Sequence, residues 1–140
     1  FRENLEEQKA HALTWSKTGN EEQLAKLLAA ASEAACVPEV LEARTKGLIQ
    51  STPLTVAAGF GHQACVQLLL ESARDAERTE ALLLAKTGLA LTALHSAARY
   101  GSEAVVKLLL EAGAERGVEN IFGETALDVA RTEAVRALLR

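Results

Sequence analysis

The chain has 140 residues, of which 49% are hydrophobic but only 4% aromatic, with a formal net charge of −4 and an isoelectric point near 5.4. That length suits one domain with a core built from Ala, Leu and Val. The acidic balance gives no electrostatic case for a nucleic-acid backbone or an anionic membrane, and no apolar run approaches the roughly 18 residues of a bilayer span, so neither nucleic-acid binding nor membrane insertion is expected.

Residues 1–18 read as a polar helix with Phe1, Leu5, Ala12 and Trp15 as its apolar points. Thr18-Gly19-Asn20 breaks it, and a second helix starts at Glu21-Glu22-Gln23-Leu24. That helix is expected to run on through the Ala-rich stretch to Cys36 and stop near Val37-Pro38, because proline disfavours helix at the residue before it. Glu39 to Arg44 then leads into a turn at Thr45-Lys46-Gly47. Thr52-Pro53-Leu54-Thr55-Val56-Ala57-Ala58-Gly59-Phe60-Gly61-His62 opens the next pair, followed by Cys65-Val66-Gln67-Leu68-Leu69-Leu70-Glu71. This helix also continues, to Arg78, with Glu80 to Ala85 and a turn at Lys86-Thr87-Gly88 beyond it. From Leu28 to Gly47 is 19 residues and from Leu70 to Gly88 is 18, so the extension is itself repeated and is part of the architecture. It should thicken the outer, second-helix end of a stack.

The most regular segment runs from Thr92-Ala93-Leu94-His95 to Gly113-Ala114. The Thr92 hydroxyl suits the orphan amides of a first helical turn, and Gly101 and Gly113 allow the left-handed backbone that ends helices. Val105, Val106, Leu109 and Leu110 share one face. A final copy, Gly123-Glu124-Thr125-Ala126-Leu127-Asp128-Val129-Ala130, is followed by Val135 to Leu139, with four residues missing where the two helices should join.

The threonines at 52, 92 and 125 are spaced by 40 and then 33 residues. With Thr52-Pro53-Leu54, Gly61-His62 and the leucine runs 68–70 and 108–110, the chain resembles the ankyrin-repeat family, whose units of about 33 residues open on T-P-L-H-x-A. The resemblance implies an all-α solenoid of stacked helix-turn-helix repeats with finger-like loops. Its approximate units are 1–44 (a degenerate N-terminal cap with an extension), 45–84 (a repeat with an extension), 85–117 (a regular repeat) and 118–140 (a shortened C-terminal cap). Aligning Gly19 with Gly101 puts Leu24, Leu27 and Leu28 on Val106, Leu109 and Leu110, and makes Trp15 a core plug. The resemblance gives His95 a structural role, tying one repeat's turn to the next; Thr55 and Asp128 replace it in the other copies and are able to bond locally. It gives His62 a capping and packing role. Beginning at Phe1 and containing no Met, the chain reads as part of a larger protein or assembly.

Little in the sequence carries chemistry. Cys36 and Cys65 lack metal-type spacing and read as buried structural thiols, which places the chain in a reducing intracellular compartment, whether cytoplasm, nucleus or organelle interior. His11, His62 and His95 form no ligand pattern. Gly59-Phe60-Gly61 lacks the strand and the Lys-Ser/Thr of a phosphate loop, and there is no G-x-S-x-G. No catalytic residue, cofactor or metal is expected, and the segment is read as non-enzymatic.

What remains is surface. In the family, fingers and first helices line a concave groove where partners bind. Here each finger carries apolar residues: Leu48 and Ile49, then Leu89 and Leu91, then Ile121 and Phe122. Only the third keeps Gly, at Gly123, just before the motif; Gln50 and Ala90 take that place elsewhere, so an altered turn geometry is expected there. The apolar residues either fold back as a longer core or form an exposed interaction ribbon. Phe60 and Tyr100, beside Gly61 and Gly101, occupy equivalent groove positions, and Arg99 with Tyr100 are the foremost expected partner contacts. The expected function is a protein–protein interaction module that holds a partner protein or peptide through its concave face and fingertips. The alternatives are a permanent subunit of a large assembly or a regulatory domain attached to an enzyme.

Overall fold

The structure, a computed structural model, describes residues 2–140. A 3-10 turn over Arg2–Asn4 leads into α1 (Leu5–Thr18), α2 (Glu21–Glu33) and α3 (Val37–Leu41). Then come α4 (Pro53–Gly59), α5 (Gln63–Asp75), α6 (Thr79–Leu84), α7 (Ala93–Tyr100) and α8 (Glu103–Glu111), and finally α9 (Ala126–Val129) and α10 (Glu133–Leu139). No strand occurs among the described residues. The first helices of each pair, α1, α4, α7 and α9, pack in one row; the second helices, α2, α5, α8 and α10, pack in another. The fold is the all-α solenoid that the resemblance implies.

The threonines explain the register. Thr52, Thr92 and Thr125 have extended backbones, and each side chain accepts from the N–H three residues on, at Thr55, His95 and Asp128. Each short helix therefore starts at the same motif position. Ala57, Ala58, Ala97 and Ala98 are fully buried, so the first helices approach closely with nothing larger than a methyl between them. Leu24, Leu54, Leu69, Leu94 and Leu109 fill the space between the rows. Each buried leucine contributes about 2 kcal/mol of transfer free energy. Trp15 is half-buried against this core, with its ring stacked on His11 at 4.9 Å between centroids.

The extensions differ in detail from the expectation. Helix α2 ends at Glu33, before Val37-Pro38, and the stop is a left-handed Ala35 (φ 55°). The Cys36 N–H donates to Ala31 and the Ala35 N–H to Ser32, the paired bonds of a Schellman ending. Glu77 (φ 57°) does the same after α5, and Gly113 (φ 102°) after α8. Pro38 lies in the first turn of α3, where its missing N–H costs nothing. Helices α2 and α5 have 13 residues against nine in α8, one turn more. Helix α3 buries Val37, Val40 and Leu41 against α1, α2 and α5, so the added helix is core as well as extension. An exposed Arg78–Glu42 ion pair at 3.8 Å joins the two extensions. In the last pair Thr132 caps α10 directly, and the Arg131 N–H donates to the Ala98 carbonyl, so the shortened connection is stitched to α7.

Candidate partner-binding surface

Each finger is closed by the same device. The N–H of Thr45, Thr87 and Asn120 donates to Ser51, Leu91 and Glu124 respectively, each at 2.9 Å. The side-chain oxygens of those same three residues accept return bonds from the Ser51, Leu91 and Glu124 N–H groups. These are the local side-chain-to-backbone turns that Thr and Asn favour. The first finger spans two more residues than the others, and its Gly47 (φ 98°) supplies the additional bend. The turn geometry is not altered where glycine is missing. Gln50 (φ 49°) and Ala90 (φ 59°) take the same left-handed conformation as Gly123 (φ 74°), which corrects the expectation. The remaining bonds hold the turn strongly enough to impose a conformation that side chains disfavour.

The fingers are also bonded to one another. The Gly88 N–H donates to the Ile49 carbonyl at 2.6 Å, and the Ile121 N–H to the Leu89 carbonyl at 3.1 Å, a one-bond ladder across all three. Between the second and third fingers a buried imidazole reinforces it. His95 Nδ1 bonds to Thr92, and Nε2 lies 2.9 Å from the Glu124 carbonyl oxygen. This is the turn-to-turn role expected of His95. Thr55 is too short for that reach, and its hydroxyl stays on Thr52 at 3.0 Å. The equivalent joint is fastened instead by Arg44, whose Nη1 donates to the carbonyls of Gln50 at 2.9 Å and Lys86 at 2.5 Å.

On this frame Leu48 is 93% exposed and Phe122 71%, with Ile49 and Ile121 also exposed. Leu89 is half-buried. Leu91 is 8% exposed; it points into the core and is not a fingertip residue, contrary to expectation. The period-2 alternation of a short extended segment puts Leu89 and Leu91 on one face only if the segment stays straight, and the left-handed Ala90 between them breaks that alternation.

Phe60, Arg99 and Tyr100 lie elsewhere, at the far ends of α4 and α7. The seven residues of α4 separate Thr52 from Phe60, eight helical rises or about 12 Å, so the fingertips and these residues are two separate patches. Phe60 and Tyr100 are about half exposed and Arg99 is exposed. The Tyr100 ring lies across Gly61, in space a side chain at 61 would occupy. Phe60 is flanked by the Lys17 ammonium 5.8 Å from its centroid and by the stacked His62 ring. His62 does not cap α5 with its side chain. Its Nε2 lies 2.7 Å from the Lys17 carbonyl oxygen and its ring covers Gly19, so its role is packing between pairs.

Sequence reasoning missed the finger-closing side chains Thr45, Thr87 and Asn120 and the Arg44 bridge. A Thr or Asn ahead of each finger was a legible signal for the first three. Arg44 had none, because its partners are backbone carbonyls. Both cysteines are buried. The Cys65 thiol is held above its ordinary pKa, first by burial and then by the Glu21 carboxylate, and its Sγ lies 3.9 Å from the Trp15 carbonyl oxygen. No group of three or more His, Cys, Asp or Glu is placed to hold a metal ion among the described residues. No helix among them is long and apolar enough to cross a membrane.

No curated protein matches the chain. A chain from the crystal structure of the yeast ribosomal protein Rps3 in complex with its chaperone Yar1 is similar, with a TM-score of 0.77 and 27% identity over 95% of this chain and 89% of that one. Matches among solved structures number 320, so the architecture is widely shared and by itself names no partner. A model of three ankyrin repeats matches residues 76–140, and a single-repeat model matches residues 50–79. With threonine-capped helices, left-handed helix ends and bonded fingers in register across that same span, the chain belongs to the ankyrin-repeat family.

Proposed function

We propose that this chain is a non-catalytic protein-interaction module that holds a partner protein or peptide with its fingertips and the groove side of its first helices. The observation that carries this reading is the row of exposed apolar side chains, Leu48, Ile49, Ile121 and Phe122, presented on fingers bonded backbone to backbone. A rigid mount spares a partner the ordering cost of catching loose loops. Leu89 adds to the row, and Phe60, Arg99 and Tyr100 form a second contact patch. The similar chain comes from a complex between a ribosomal protein and its chaperone, which supports partner-holding as the use of such a stack.

Replacing Leu48, Ile49, Ile121 and Phe122 with Ser tests it, with cross-linking mass spectrometry on native extract as the readout. The expected result is loss of cross-linked partners at unchanged helicity. Retained partners would overturn the fingertip reading. The near-complete exposure of Leu48 also favours a second reading, a permanent place in a larger assembly that covers the fingertips. In that case the chain expressed alone should self-associate, whereas an exchangeable module stays monodisperse.

A further inference from the structure

The second-helix face carries a groove that the finger reading does not use. Between α2 and α5 lies a groove of about 540 Å³, continued toward the helix starts by a lobe of about 420 Å³. Its walls are small: Ala25 and Ala29 on one side, Ala64 and Ser72 on the other, with Leu28 and Leu68 between them. The additional turn of α2 and α5, with Pro38 of α3 also lining it, lengthens the groove. From Ala64 to Asp75 it runs about 17 Å, three helical turns. Small walls let another helix approach closely, in the manner of ridges packing into grooves.

The charge is one-sided. Glu21, Glu22, Glu71 and Asp75 line the groove, and no Lys or Arg does. Glu22 is paired with Lys26 at 3.1 Å; Glu21, Glu71 and Asp75 have no ion-pair partner among the described residues. The neighbouring groove between α5 and α8 is different, because Arg74 lines it together with Glu71 and Glu111. An apolar floor with three of its four rim carboxylates unpaired is complementary to one kind of occupant.

We infer that the α2–α5 groove docks a basic amphipathic helix of a partner protein, with its Ala/Leu face on Ala25, Ala29, Leu68 and Ser72 and its Lys/Arg residues against Glu21, Glu71 and Asp75. This surface is separate from the fingertips and stands whether or not the fingertip reading does.

The test is fluorescence anisotropy with three labelled synthetic peptides of 14 residues. One is helical, with Ala and Leu at i, i+3, i+4 and i+7 flanked by Lys and Arg. The second has Glu in place of every Lys and Arg, and the third scrambles the first. The basic amphipathic peptide should bind, weaken with added salt, and lose at least tenfold in affinity on Ala29→Trp, which fills the groove, and on the pair Glu71→Lys and Asp75→Lys. The substituted positions Ala29, Glu71 and Asp75 are exposed, with Ala25, Leu68 and Ser72 half-buried beside them, and circular dichroism checks that the variants fold. Ser replacements at Leu48 and Phe122 should leave the binding unchanged. Equal binding of the acidic or scrambled peptide, retained binding in Ala29→Trp, loss in the finger variant instead, or no binding at all would overturn the inference. So would sedimentation showing a dimer that Ala29→Trp dissociates, which would make a second copy the occupant.

Discussion

The Gly88 N–H donates to the Ile49 carbonyl across 2.6 Å, and the Cα of Gly88 faces the carbonyl of Leu48 so closely that a Cβ would overlap it. Glycine is needed here for approach, since Gly88 is not among the residues with positive φ. Backbone cannot step aside as a side-chain tip can. Gly88→Ala should separate the first two fingers and destabilise the chain by about 2 kcal/mol or more. Gly117→Ala, in open space at ordinary φ, should be close to neutral. Urea denaturation measures both, and faster hydrogen exchange at residue 88 would report the opened joint.

Gln50 and Ala90 sit at positive φ where Gly123 sits in the third finger. A left-handed side-chain residue costs about 1–2 kcal/mol, partly offset by the entropy glycine loses on folding. Gln50→Gly and Ala90→Gly should therefore each stabilise by a few tenths to about 1 kcal/mol. Thermal denaturation checks this. Destabilisation by either would mean that the side chain contributes more than its strained backbone costs.

His95 is 1% exposed and bonds both to Thr92 and to Glu124. His95→Ala removes the capping box and the bridge to the third finger and leaves a cavity, which should cost about 3 kcal/mol. His95→Asn keeps a short acceptor for Thr92, as Asp128 does for Thr125, but does not reach Glu124. It should cost less, and the difference between the two variants isolates the cap from the bridge. Chemical denaturation of both, side by side, gives that difference.

Burial and Glu21 raise the Cys65 pKa in the folded chain, so the folded state holds its proton where the unfolded state has released it. Stability from this group is fully present below the unfolded thiol's pKa, about 8.5, and declines as pH rises beyond it. Both thiols should resist a disulfide reagent at pH 8 in the native chain and react on unfolding. Rapid native reaction of Cys65 would contradict its placement between α5 and α1.

The threonine spacing, the glycines ending α1, α7 and α8, and the leucine faces were readable because each is a strong local signal repeated in register. Leu48, Ile49, Ile121 and Phe122 were legible as apolar residues in turns. Their exposure and the burial of Leu91 were not, because one left-handed residue decides which way a finger's side chains point. Ala35 and Glu77 concealed their helix stops for the same reason: neither residue type announces positive φ. The longer α2 and α5 were legible as a repeated extension, but the groove between them was not, because it depends on how the two helices pack side by side, which residue periodicity does not resolve.

The two joints of the finger row are unequal. One is closed by an imidazole sealed inside the stack, the other by the guanidinium of Arg44, whose exposed side chain exchanges readily with water. The side-chain bridge between the second and third fingers is therefore closed away from water, whereas the bridge beside the first finger, which carries the most exposed leucine, lies open to it.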